Sequence, residues 1–163
     1  MTDPVILTSQ GRLPPSRRLI ALLAVGAARL LATLSPRRIR RLLQLVRGDC
    51  APATAHQTLT ARQAVVSVSV RCAGRNCLQR SLAAALLCRM QGVWPTWCTG
   101  IRTEPFRAHA WVEADGVPIG ETFGPGYYTP VITVPPIRSR RNPDPRGKSA
   151  DRSSISPQGH DLR

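Results

Sequence analysis

The spacing of apolar residues changes from a helical to an extended period at Gly92, and this change constrains the fold more than any other feature. Residues 77–91 place Leu and Ala at helical spacing, and the chain beyond Gly92 alternates with a period of two. Three strands are predicted there, at residues 94–102, 107–114 and 117–123, with Asp115-Gly116 as a hairpin turn. We therefore predict an α+β domain in which the helix from Cys77 packs across an antiparallel sheet.

Two further helices are predicted near the N-terminus, at residues 19–34 and 37–47. Ser16 is a candidate cap of the first helix, and Ser35 followed by proline opens the second, which ends at Gly48. The second helix is amphipathic, and its polar face is basic. That face carries Arg37, Arg38, Arg40 and Arg41. We interpret it as a solvated surface over a core stripe, with docking to a membrane, to an acidic peptide or to a partner as the competing hypothesis.

The chain divides into three predicted regions. Residues 1–57 form an N-terminal helical segment, residues 58–136 the core, and residues 137–163 a polar, proline-containing basic tail predicted to be disordered. Within the core, residues 61–70 are ambiguous, because Val and Ser alternate there as in a strand.

The net charge of +14, from 23 basic and 9 acidic residues, would suit nucleic acid, an anionic membrane surface or an acidic peptide. A general bias of composition explains the charge equally well. The basic residues are dispersed and lack the interleaved aromatic residues of single-strand binders, so a nucleic-acid partner is not expected.

Five cysteines occur, and their odd number argues against a disulfide framework. No CxxC pair is present, so no zinc site is expected. The longest apolar stretch, residues 19–28, is too short to span a bilayer and lacks a signal-peptide cleavage pattern. A cytoplasmic protein with reduced thiols is the resulting expectation.

Cys77 and His109 are the two residues that together offer catalytic chemistry. Cys77 opens a helix, where the partial positive charge of the helix end favours a thiolate. His109 lies in the middle of a predicted strand and could accept the thiol proton. Unpaired backbone N–H groups beside Cys77 could stabilise an oxyanion. Cys88 and Cys98 are predicted to be buried core residues.

The length of the hairpin turn decides which residue of the third strand lies opposite His109. A two-residue Asp115-Gly116 turn would place Thr122 there, whereas a three-residue turn with a bulge at Gly116 would place Glu121 there. We prefer the bulged turn, because a carboxylate about 5 Å across the strands can orient the imidazole. Asp115 is the alternative acid, although ~20 Å of strand separates it from the histidine.

Three blocks, residues 77–83, 86–93 and 109–116, resemble the transglutaminase-like peptidases of lasso-peptide biosynthesis, with the His-Ala-Trp-Val-Glu run as the most specific part. The resemblance covers residues 58–135 and implies a transglutaminase/papain-like core with a Cys-His-Asp triad. Cys77 and His109 match the motif, and Glu121 stands where the family has Asp. The resemblance also favours a helix over a strand at residues 60–71.

A cysteine peptidase that removes the leader from a ribosomally made precursor is the function that this resemblance implies. Because the N-terminal segment is short, the chain is expected to be the discrete protease half. It would work with a separate leader-binding protein and a ring-closing cyclase, and it would need no metal or cofactor. The alternatives are an acyltransferase on the same fold and a non-enzymatic basic binding protein.

Overall fold

The structure, a computed structural model, describes residues 14–74 and 76–137. The helices are α1 (Pro15–Leu31), α2 (Pro36–Arg47), α3 (Ala55–Val68), α4 (Val70–Ala73) and α5 (Cys77–Met90). The strands are β1 (Ala51–Pro52), β2 (Val93–Trp94), β3 (Thr96–Arg102), β4 (Arg107–Ala114), β5 (Val117–Pro118) and β6 (Thr129–Val134). The predicted switch from helices to strands at Gly92 is confirmed.

The main sheet has four strands in the order β5-β4-β3-β6, and every neighbouring pair is antiparallel. A separate pair of two-residue strands, β1 and β2, runs parallel. Helix α5 packs against β4, and helices α1 and α3 pack against α5. The expected α+β architecture, with the cysteine-bearing helix on an antiparallel sheet, is therefore confirmed.

Helix α5 is the centre of the core and is buried on nearly all sides. Leu82 and the alanines at 83–85 have no exposed surface, and Cys88 is equally buried. Residues 82–88 are apolar around the whole circumference of the helix, which suits a position inside the protein rather than at its surface. Helix α1 turns small residues towards it, since Ala21 and Ala28 are fully buried while Leu30 is exposed. Trp94 of β2 and Trp97 of β3 are also buried, and their indole N–H groups donate to the carbonyl of Val134 and the hydroxyl of Ser81.

Helix α3 resolves the ambiguity at residues 61–70 in favour of a helix, which runs to Val68. Thr54 and Gln57 form a capping box at its start, which fixes the helical direction before the alternating stretch begins. Buried Ala61, Ala64 and Val65 then follow at helical spacing. Burial of this stripe outweighs the strand-like alternation of Val and Ser.

The predicted cap of the first helix is wrong. Helix α1 begins at Pro15 with Pro14 as its cap, so Ser16 lies inside the helix rather than before it. Proline suits the first helical position because its missing N–H has no partner there in any case. Helix α2, in contrast, begins at Pro36 and ends before Gly48 as predicted.

The third predicted strand, at residues 117–123, is also wrong in length, because β5 spans two residues only. The turn before it is the two-residue form, with Ala114 paired to Val117 and not the bulged form. Asp115 and Gly116 both have positive φ, 52° and 78°, as a tight two-residue turn requires. Pro118 has no N–H to donate to the ladder, and pairing stops soon after it.

The predicted division at residue 57 is not tested and stays a prediction. The predicted basic tail lies, apart from its first residue, outside the residues that the structure describes. Among the helices of the described part of the chain, none has the length and apolar character needed to cross a bilayer.

Replacement of Leu82 by alanine is expected to lower the free energy of unfolding by about 2–5 kcal/mol, because it opens a cavity beside a fully buried helix. The matched control is Leu30→Ala, at a side chain that is 74% exposed on α1, and it should change stability by less than about 0.5 kcal/mol. Urea denaturation followed by circular dichroism measures both. Equal effects of the two substitutions would contradict the central position of α5.

Candidate active site

Cys77 is the first residue of α5 and is half-buried. Its N-cap, Asn76, makes no side-chain hydrogen bond to the helix, so the N–H groups of the first turn have no capping partner from that side chain. Cys77 and His109 line the same cavity, and the imidazole and the backbone N–H of Ala110 are close enough to the sulfur to lower its pKa. The nucleophile and base candidates chosen from the sequence therefore lie side by side.

His109 occupies the middle of β4, and its side chain is 16% exposed. Its Nε2 lies 3.1 Å from Oε2 of Glu121. Because Nε2 faces this carboxylate, Nδ1 is the ring nitrogen left for Cys77. The imidazole thus lies between a thiol and an acid, the order that a cysteine nucleophile system requires.

Glu121 reaches His109 by a route that differs from the predicted one. In the observed two-residue turn, a continued strand would have set Thr122 opposite His109; instead the chain leaves the ladder and bends at Gly120, which has φ of 67°. This bend returns the Glu121 carboxylate to the imidazole. The sequence-based choice of residue agrees with this contact, although the bulged register used to choose it is wrong.

The other acids considered from the sequence lie elsewhere. Asp115 is exposed at the hairpin turn, far along the strand from the imidazole. Glu113 accepts a hydrogen bond of 2.7 Å from the indole N–H of Trp111. Neither carboxylate contacts His109.

Two buried arginines, which sequence reasoning missed, hold the Glu121 carboxylate. Nη2 of Arg62, from α3, lies 3.3 Å from Oε1, and Nη2 of Arg80, from α5, lies 3.8 Å from the same oxygen. Arg80 also donates to the backbone carbonyls of Cys72 and Gly74. Spacing offered one clue, since position 80 is three residues after position 77 and so shares a helix face with the thiol.

Gly120 fits this network because it has no side chain. A Cβ atom there would lie 2.9 Å from Nη1 of Arg62. The guanidinium therefore packs directly on the backbone of the residue before Glu121 and fixes the bend that delivers the carboxylate.

The charges of the site favour a thiolate and an imidazolium. Burial alone would raise the pKa of Cys77, but the hydrogen bonds from His109 and Ala110 and the nearby positive charges lower it overall. Burial opposes the charged form of His109 as well, yet its hydrogen bonds with Cys77 and Glu121 raise its pKa to about 9. For Glu121, burial is outweighed by His109 and the two arginines, so its pKa lies below the usual value.

An aromatic wall covers the outer side of the imidazole. The Tyr128 ring stacks on it at 5.3 Å with an interplanar angle of 22°, and Phe123 meets it edge-on at 5.3 Å. Trp111 lies beside both. The space for Trp111 depends on Gly100, where a Cβ would lie 2.8 Å from the indole ring. These rings limit the movement of His109 and shield it from water on that side.

A cavity of about 440 Å³ opens beside the thiol. It is lined by Gly74, Cys77, Arg80, Arg107, Ala108, His109 and Tyr128. The candidate nucleophile and base therefore share one cavity, and most of its polar lining is basic.

The remaining cysteines suit structural positions. Cys88 and Cys98 are buried, and burial raises the pKa of each to about 12. Within the part of the chain that the structure describes, no group of three or more His, Cys, Asp or Glu side chains is placed to hold a metal ion.

The fold and this arrangement together define the class of the papain-like cysteine peptidases and acyltransferases. The family model of the Transglutaminase-like superfamily matches residues 21–133, and the chain belongs to that superfamily. Members of the superfamily are typically cysteine-dependent enzymes. No curated protein and no solved structure matches the chain.

Alkylation by neutral iodoacetamide is expected to label Cys77 at a pH below the range in which an ordinary thiol reacts, because its pKa is lowered. The thiolate–imidazolium pair should form as pH rises through the pKa of Cys77. It should be lost as His109 deprotonates at about pH 9. His109→Ala removes the stabilising hydrogen bond and leaves the burial, so the labelling midpoint should move upward. Peptide mass mapping distinguishes Cys77 from Cys88, which should stay unlabelled, and an unmoved midpoint would contradict the ion pair.

Glu121→Gln is expected to lower the pKa of His109 from about 9, because it removes the carboxylate charge while keeping the size of the side chain. Glu113→Gln is the matched control, since Glu113 also lies in the hairpin but contacts Trp111. NMR titration of the imidazole in both variants, with circular dichroism to verify folding, measures the effect. Equal pKa values of His109 in the two variants would exclude Glu121 as the group that holds it.

Proposed function

We propose that this chain is a cysteine peptidase that removes the leader from a ribosomally synthesised lasso-peptide precursor. Cys77 would be the nucleophile, His109 the proton carrier and Glu121 the residue that orients the imidazole. The observation that carries the proposal is the contact of a low-pKa thiol with an imidazole that a buried carboxylate holds from its other side.

The lasso-peptide assignment is supported by the sequence blocks around Cys77 and His109, which resemble the leader peptidases of that pathway. Membership of the Transglutaminase-like superfamily is consistent with it, because the superfamily combines this fold with cysteine chemistry.

The first half of the reaction would make an acyl-enzyme. The Cys77 thiolate attacks the carbonyl carbon of the last leader residue, and the carbonyl oxygen becomes an oxyanion. Backbone N–H groups in the first turn of α5, which have no capping partner from Asn76, would stabilise that charge. The imidazolium of His109 then gives its proton to the departing amine of the core peptide, and the C–N bond breaks.

The second half would release the leader. A water molecule attacks the thioester, neutral His109 takes one of its protons, and the thiolate leaves as the leader carboxylate forms. Glu121 stabilises the positive imidazolium at both proton transfers. The two arginines keep Glu121 ionised, so that this support is present at each step.

The proposed partners are a small leader-binding protein and a downstream cyclase that closes the ring on the released core peptide. The arginine-rich face of α2 is exposed, at Arg37, Arg38, Arg40 and Arg41, and would be available to an acidic leader or to the leader-binding protein. Ile39 and Leu43 of the same helix are buried. These two side chains anchor α2 to the core, and this fixes the position of its basic face.

Acyl transfer to an amine is the second candidate, because the same thioester could be attacked by an amine instead of water. Cys77 is half-buried at an open cavity, so either nucleophile could reach the carbonyl carbon of a thioester formed on it. The identity of the product separates the two reactions.

Cys77→Ala is expected to abolish cleavage of the precursor, because no other described thiol lines the cavity. The experiment incubates the protein with a lasso-peptide precursor and a leader-binding protein, and analyses the products by mass spectrometry. Free leader and free core peptide support the peptidase, whereas a cross-linked or amidated product supports acyl transfer. Cys50→Ala is the matched control, since Cys50 is half-buried but lies outside the cavity.

Full cleavage by Cys77→Ala would overturn the assignment. A basic binding protein, in contrast, would show nucleic-acid binding that falls steeply with salt and survives this substitution. A filter-binding titration over a range of salt concentrations tests that outcome on the same two variants.

A further inference from the structure

We propose that Arg107, with Arg102 behind it, forms a subsite that binds a carboxylate of the substrate about two residues from the bond that is cut. This inference rests on the proposed peptidase function and narrows its substrates to peptides that carry Asp or Glu near the cleavage site.

The first observation is a pair of like charges beside the loop that joins β3 to β4. Arg102 and Arg107 are direct cross-strand partners of β3 and β4. Like charges in this position destabilise a hairpin unless an anion lies between or beside them. No carboxylate in residues 14–74 or 76–137 lies within 4.0 Å of either guanidinium. An acidic ligand would offset the repulsion that this pair creates.

The second observation is that the two arginines are held differently. Arg102 donates to the hydroxyl of Tyr127, and its guanidinium lies 4.7 Å from the centroid of that ring. Arg107 is exposed and lines the cavity that contains Cys77. Arg102 is therefore fixed by a neighbour, while Arg107 faces the space that the substrate would occupy.

The other cation of the cavity is already engaged. Arg80 binds the Glu121 carboxylate and two backbone carbonyls, and it is buried. It contributes positive charge to the cavity, but its donors are directed at the protein. Arg107 is thus the residue placed to bind a substrate anion directly, and its planar guanidinium matches a carboxylate with two parallel hydrogen bonds.

The distance along the strand sets the position of the anion. Arg107 precedes His109 by two residues, and side chains at this spacing share one face of a strand. Two residues correspond to ~6.6 Å of strand, and an extended substrate rises by the same ~3.3 Å per residue. A carboxylate about two residues from the attacked carbonyl would therefore meet Arg107.

Selective alkylation of Cys77 tests the subsite without any peptide. N-iodoacetyl-β-alanine and its amide form the same S–C bond with the thiolate and release iodide, but only the first carries a carboxylate, which lies about two residue lengths from the reacting carbon. The ratio of their rates at Cys77, measured by peptide mass mapping, reports the attraction of an anion into the cavity. Arg107→Gln should lower this ratio about fivefold, the equivalent of ~1 kcal/mol. Added salt should shrink the difference between the wild type and this variant.

Two further variants make the test specific. Arg107→Lys keeps the charge and should retain most of the ratio, while Arg29→Gln removes an exposed arginine of α1, away from the cavity, and should leave it unchanged. An unchanged ratio in Arg107→Gln, with Cys77 still reactive, would overturn the subsite and leave the peptidase proposal standing. A Cys77 no more reactive than Cys88 would instead count against the peptidase itself.

Cleavage of peptides with blocked termini is a second, independent test of the subsite. N-acetylated, C-amidated precursor peptides carry carboxylates only on side chains, so a preference among them cannot come from a chain terminus. Replacing the acid nearest the cut by its amide should slow cleavage by the wild type about fivefold, or ~1 kcal/mol, and should not slow cleavage by Arg107→Gln. Equal sensitivity of both proteins, or a precursor with no acid within three residues of the cut, would overturn the inference.

Discussion

The carboxylate of Glu121 is the group on which the site depends, because it is shared by three potential cations. One oxygen faces His109, and the other faces Arg62 and Arg80, at an acidic side chain that is only 9% exposed. A buried charge is tolerated only when partners replace the water that it has lost. Each partner comes from a different element, namely β4, α3 and α5, so one carboxylate ties the loop after β5 to the sheet and to two helices. The imidazole can stay protonated because this anion is fixed beside it.

The central helix gives the thiol its place. Helix α5 is buried along most of its length, and only its first turn opens onto the cavity that holds Cys77. A thiol further along, such as Cys88, lies in the same helix but has a raised pKa, because burial there is not offset by hydrogen bonds or positive charge. The contrast between the two cysteines shows that the position in the helix and the neighbouring groups, rather than residue type, set the pKa of each sulfur.

Sequence alone singled out Cys77 and His109 because each stands at a recognisable point of a periodic element, the start of a helix and the middle of a strand. It predicted the sheet for the same reason, since strands with one buried face alternate visibly. Glu121 was reached through the wrong hairpin register: the bulged turn was preferred because it set a carboxylate opposite His109, whereas the chain makes a tight two-residue turn and then a bend at Gly120 that no periodicity encodes. The two buried arginines could not be found, because in a chain so rich in arginine only the folded packing distinguishes an internal guanidinium from a solvated one.

His109 and Glu121 lie twelve positions apart in sequence and belong to one continuous segment that contains the hairpin turn. The spacing of the imidazole and the carboxylate is therefore fixed within one short segment, by a tight turn and a single bend. Insertions elsewhere on the surface would not change this spacing. One residue gained or lost between His109 and Glu121, however, would turn the carboxylate away from the imidazole. The segment between them is consequently the stretch of this chain where length, more than composition, is under constraint.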